Sequence, residues 1–98
     1  MATRERIAIT GIGLVTSLGI GRERSFSRLC AGERGIDEVS LFDTNGLKSR
    51  IAAEVRGLDV GAIAPQGEAR DWSRSDAFAF VAAREALAQA GHRHGSAL

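Results

Sequence analysis

The segment Arg6-Ile7-Ala8-Ile9-Thr10-Gly11-Ile12-Gly13-Leu14-Val15-Thr16-Ser17-Leu18-Gly19 constrains this chain more than any other. A β-branched apolar run stops at Gly-x-Gly and hands over to a helical pattern, an order with which many α/β enzymes begin. Ile7 to Ile12 carries apolar residues on both faces, which predicts a strand buried in the middle of a parallel sheet.

A chain of 98 residues makes one small domain at most, with a modest core. Thirteen basic and twelve acidic residues leave a net charge of +1. The two signs interleave along the chain, which argues against a nucleic-acid footprint. One cysteine, Cys30, excludes an internal disulfide and agrees with a reducing, cytoplasmic setting. Arg4 and Arg6 ahead of the apolar residues 7–20 resemble a signal peptide, but glycine, threonine and serine dilute that run and no Ala-x-Ala site follows it. No stretch is apolar and long enough to cross a bilayer.

Further along, Glu23 to Ala31 predicts a short helix with Phe26, Leu29 and Cys30 on one apolar stripe and Gly32 as its stop. Gly35 to Lys48 reads as mostly loop with a tight turn at Asn45-Gly46, and Ile51 to Val55 as a second strand. Gly57, Gly61, Pro65 and Gly67 leave room for one helical turn. The clearest helix runs from about Arg74 to Ala90, with Ser73 and Asp76 as a capping box and Gly91 as its end. Phe80, Ala83, Leu87 and Ala90 line one face and Phe78, Val81, Ala82 and Ala86 a neighbouring one, so this helix is expected to pack between layers. Residues 92–98 read as an unstructured tail.

The candidates for chemistry are few. The dinucleotide spacing Gly-x-Gly-x-x-Gly from Gly11 needs glycine where Thr16 stands. The short-chain dehydrogenase pattern fails too, because Thr10-Gly11 and Gly19-Ile20-Gly21 are four residues too far apart. An NAD(P)-binding role is therefore the weakest alternative. Cys30 lies on an apolar stripe without a nearby histidine and is expected to be core, not a nucleophile. His92 and His94 fall short of the four ligands of a structural zinc site. Arg22, Arg24, Arg28 and Arg34, interrupted by Glu23 and Glu33, read as a solvated helix face. Asp71, Asp76 and Glu85 are carboxylates that spacing alone does not place in a cleft. No catalytic, cofactor-binding or metal-binding residue is assigned.

Taken in order, the pieces resemble the β-ketoacyl-acyl carrier protein synthases, the condensing enzymes of fatty acid and polyketide synthesis. The resemblance rests on Ile9-Thr10-Gly11-Ile12-Gly13-Leu14-Val15-Thr16-Ser17-Leu18-Gly19, Leu29-Cys30-Ala31-Gly32, Gly35-Ile36, Leu41-Phe42-Asp43-Thr44, Arg50-Ile51-Ala52-Ala53-Glu54-Val55 and Arg74 through Gly91. Ser17 departs from the family's usual proline, and Cys30 from a plain aliphatic residue. The resemblance implies an α/β fold: the partial N-terminal half of a thiolase-like, layered α/β structure with a mixed sheet. Residues 1–98 would be the N-terminal fragment of the synthase N-terminal domain, inactive alone. The implied activity is a decarboxylative Claisen condensation by a cysteine nucleophile and two histidines, with acyl carrier protein as partner, a homodimeric assembly and no cofactor. None of those catalytic residues maps onto this chain, and a non-catalytic chain-length-factor-like subunit or an inert remnant stands as the alternative.

Overall fold

Capping and glycine stops determine where the helices lie, and the computed structural model describes residues 4–65 and 67–92. Its strands are β1 (Val15–Thr16), β2 (Gly19–Ile20), β3 (Asp37–Glu38) and β4 (Ile51–Ala52); its helices are α1 (Arg22–Cys30), α2 (Val60–Ile63) and α3 (Arg74–Gln89), with a 3-10 turn at Ala69–Asp71. Ser73 Oγ accepts from the Asp76 amide at 3.1 Å while the Asp76 carboxylate accepts from the Ser73 amide at 2.7 Å, the reciprocal box expected at the start of α3. At its end, the Gly91 and His92 amides reach back to Ala88 and Leu87, and Gly91 adopts a φ of 90°. The amides of Gly32 and Glu33 close α1 in the same way on Leu29 and Arg28.

The strands form two antiparallel pairs. Val15 faces Ile20 and Thr16 faces Gly19 in the first, and Asp37 faces Ala52 and Glu38 faces Ile51 in the second. An amide bond from Val39 to Arg50 extends the second pair, and Leu47 donating to Thr44 at 3.0 Å closes the expected turn at Asn45-Gly46. Part of the stretch read as loop, Asp37–Glu38, is thus a strand, because its partner lies 13 to 15 positions on and leaves no local signature.

Leu58, Ala77 and Val81 are the buried core, packed by Val15, Ile20, Val55, Val60, Ile63, Trp72 and Phe78. Trp72 meets Phe80 edge to face at 5.4 Å. The radius of gyration is 17.4 Å; a compact domain of this length would have about 13 Å. The extra length comes with apolar surface on the outside.

One expected strand finds no partner among the described residues, and two further expectations are corrected. Residues 7–12 form no strand ladder among the described residues, and Ile7 and Ile9 are 92% and 82% exposed. Their β-branched apolar run suits a strand, but no other described segment pairs with it. Phe26, Leu29 and Cys30 are exposed, so Cys30 is not core here. The residue that α1 buries is Ser25, through polar bonds. α3 is covered on one side only: Ala77 and Val81 are buried, while Ala83, Leu87 and Ala88 are open. His94 and the tail from 93 lie outside the described residues.

Candidate functional site

The glycine turn is filled from within the chain. A Cβ at Gly13 would stand 1.7 Å from the Ala82 carbonyl oxygen, and one at Gly11 would stand 1.9 Å from that of Ala86. Only glycine permits so close an approach of this segment to α3. The backbone of the turn lies against a helix, with the Ile12 and Leu14 amides bonded to Gln89 and Glu85 of α3. This geometry agrees with the failed dinucleotide spacing. Thr16, where a dinucleotide turn would need glycine, ties β1 to α1 through its Oγ1, which bonds Ser25 Oγ at 2.7 Å. Ser25 Oγ also donates to the Gly19 carbonyl at 3.0 Å.

Glu85 organises the same junction. Its carboxylate accepts from the amides of Leu14 at 3.0 Å and Arg22 at 3.1 and 3.0 Å, and pairs with the Arg22 guanidinium at 3.3 Å. One turn further along α3, Gln89 Oε1 accepts from the Ile12 amide at 2.8 Å, and Arg22 donates to the Ile12 carbonyl at 3.3 Å. Every one of these acceptors answers a main-chain or guanidinium donor, so Glu85 is a structural clasp of this junction. Sequence reasoning included Glu85 only among unplaced carboxylates. The i, i+4 spacing of Glu85 and Gln89 was the available signal.

The other candidates separate. Asp76 is committed to Ser73, whose amide and then hydroxyl hold its carboxyl below the usual range. Asp71 ends the 3-10 turn, exposed. His92 is half-buried at the end of α3, beside an open apolar groove of about 730 Å³ lined by Phe80, Ala83, Leu87 and Ala88. Among the described residues no three His, Cys, Asp or Glu side chains come together as a metal site. Glu54, not singled out from sequence, is buried and takes the Ser40 hydroxyl at 2.8 Å and the Ser40 and Leu41 amides. The Ser40 hydroxyl, with the two amides and Arg56, lowers its pKa against the opposing effect of burial.

The arginines are redistributed. Arg22 turns to Glu85, whereas Arg24, Arg28 and Arg34 meet Arg56 around a polar cleft of about 340 Å³ between α1 and the β3–β4 hairpin. Arg56 belongs to a different part of the sequence, which is why no charge run announced this grouping.

Comparison with known structures places the architecture. The ishigamide ketosynthase/chain length factor superposes with a TM-score of 0.77 at 34% identity, over 91% of this chain and 22% of that one. The fold is accordingly the N-terminal part of a thiolase-like α/β structure, in which the two small sheets described here are a portion. The model of the family described as Beta-ketoacyl synthase, N-terminal domain, matches residues 4–97, and the chain belongs to that family. Its relatives include a Streptomyces rimosus protein named as an oxytetracycline polyketide putative beta-ketoacyl synthase 1, 38% identical over 88% of this chain and 20% of the relative. The tetracenomycin polyketide synthase ketoacyl synthase beta subunit of Streptomyces glaucescens is 35% identical over 93% of this chain and 22% of the relative. The 3-oxoacyl-[acyl-carrier-protein] synthase 2 of Staphylococcus aureus is 30% identical over 92% and 22%. The chain thus spans about a fifth of the length of the curated relatives it matches.

Proposed function

We propose that this chain serves as the opening portion of a β-ketoacyl synthase that joins an acyl thioester to a malonyl unit on acyl carrier protein by decarboxylative Claisen condensation. Within that enzyme its work is architectural. The glycine turn seats the first strand on α3, and the Glu85 clasp fixes the entry to α1. The open faces around Ile7, Ile9 and Phe26 are then surfaces that the remainder of the enzyme covers. Alone, the chain is inactive, since the thiolate and oxyanion site that such a condensation needs are not formed by its described residues. Acyl carrier protein and a second subunit are its partners in the complete enzyme.

The observation that carries this reading is the family match over residues 4–97. A chimera tests it: residues 4–97 replace the matching region of the Staphylococcus aureus synthase 2, and condensation of acyl- and malonyl-carrier protein is assayed. Restored condensation is the expected result. A soluble, folded chimera without activity would count against it.

A second reading, a chain-length-factor-like subunit, draws support from the structural neighbour and from the beta-subunit relative. The two readings differ at the nucleophile. Reading the gene past codon 98 separates them: a cysteine at the nucleophile position supports the synthase, and a non-nucleophilic residue supports the partner subunit.

A further inference from the structure

The arginine cleft between α1 and the β3–β4 hairpin is a charged surface that the condensing reading does not use. Its lining brings together Arg24, Arg28, Arg34 and Arg56 with two carboxylates, Asp37 and Glu54. The two acidic residues that interrupt the arginines in sequence stand outside the lining, one of them still paired with a lining arginine. Glu23 is not part of the lining, and Glu33 is paired with Arg28 Nε at 3.2 Å.

The remaining groups differ in how far they are engaged. Asp37 Oδ1 accepts from the Glu38 amide at 2.8 Å, and both oxygens of Glu54 are taken by Ser40 and Leu41, with Arg56 3.8 Å away. Arg28 donates to the Leu18 carbonyl and Arg56 to the Glu38 carbonyl, which fixes these two guanidiniums at the rim. Arg24 and Arg34 have no acceptor among the described residues. A guanidinium offers a planar fork of donors that matches phosphate oxygens two at a time. Gly57 in the lining has open space where a side chain would begin.

We infer that this cleft binds a phosphate monoester or pyrophosphate group, held by Arg24 and Arg34 with Arg28 and Arg56 at its rim. The inference is independent of the condensing activity, and the two can fail separately.

The test is a titration of the full 98-residue chain with sodium pyrophosphate, followed by the arginine Nε and backbone amide resonances, with acetate as the singly charged comparison. Saturable shifts confined to Arg24, Arg34 and the amides of Gly19, Gly35 and Gly57 are expected, weakening as salt is raised. Replacing both free arginines, Arg24→Gln with Arg34→Gln, should weaken binding about tenfold or more, since two charge-assisted bonds are lost. Arg84→Gln, outside the cleft, should leave binding unchanged. Non-saturable shifts, equal response to acetate, or shifts spread over Arg84 would overturn the assignment; because these are read on the unmodified chain, a variant that misfolds does not shield it.

Discussion

Residues 11–22 and the β3–β4 hairpin are both held by a glutamate, but over very different distances. Ile12, Leu14 and Arg22 bond to side chains of α3 that are 77, 71 and 63 positions away in sequence. Ser40 and Glu54 are 14 positions apart, and the loop they hold leaves Leu41, Phe42 and Leu47 more than half exposed. The first region is specified by close backbone contact and tolerates no added atom, whereas the second rests on one carboxylate and a short ladder. Long-range closure without side-chain space makes the first cooperative with α3. Local closure leaves the hairpin free to open alone.

Substitutions at four positions sharpen or break that contrast. Gly13→Ala should be the most damaging, because its methyl would collide with the Ala82 carbonyl; we expect a loss of about 3 kcal/mol or more in urea unfolding. An unchanged midpoint would mean that the segment does not sit on α3. Glu85→Ala leaves the Leu14 and Arg22 amides without their acceptor and should cost about 2 kcal/mol by the same measurement, with Glu85→Gln losing less. Ser73→Ala removes the reciprocal cap of α3 and should cost about 1 kcal/mol, visible as fraying of the first turn in circular dichroism.

Glu54→Gln should have the smallest and most local effect. The Glu54 carboxyl is held below its ordinary value of 4.5, so its contribution is complete above that value and is lost as pH falls through the lower folded value. The Ser40 and Leu41 amide shifts should follow that titration in the native chain and become flat in Glu54→Gln. A pH response that spreads to α3 would erase the distinction between the two regions.

How much of this was legible in the sequence follows the same division. Local signals were readable: Ser73, Asp76 and Gly91 announced α3, and Gly32 announced the end of α1, because caps and stops are set by neighbouring residues. Pairings were not. Asp37–Glu38 carries no strand pattern of its own and becomes one only opposite Ile51–Ala52. Ile7 to Ile12 has the pattern but no partner among the described residues, and Cys30 shares a stripe that nothing described covers. The site followed suit. Failed glycine spacing argued against a phosphate turn, and the structure seats Gly11 and Gly13 on α3, yet Glu85 as a clasp and Arg56 as the fourth arginine depend on contacts that no linear motif encodes.

The central claim is that Gly11-x-Gly13 is a seat for α3, continuous with the fold's core, while the residues just before it are an open surface. Native-state hydrogen exchange of the 98-residue chain addresses it most directly. The Ile12 and Leu14 amides, bonded to Gln89 and Glu85, should be protected together with the amides of α3, and those of Ile7 and Ile9 should exchange at unprotected rates. Fast exchange at Ile12 and Leu14 while α3 stays protected would contradict the account.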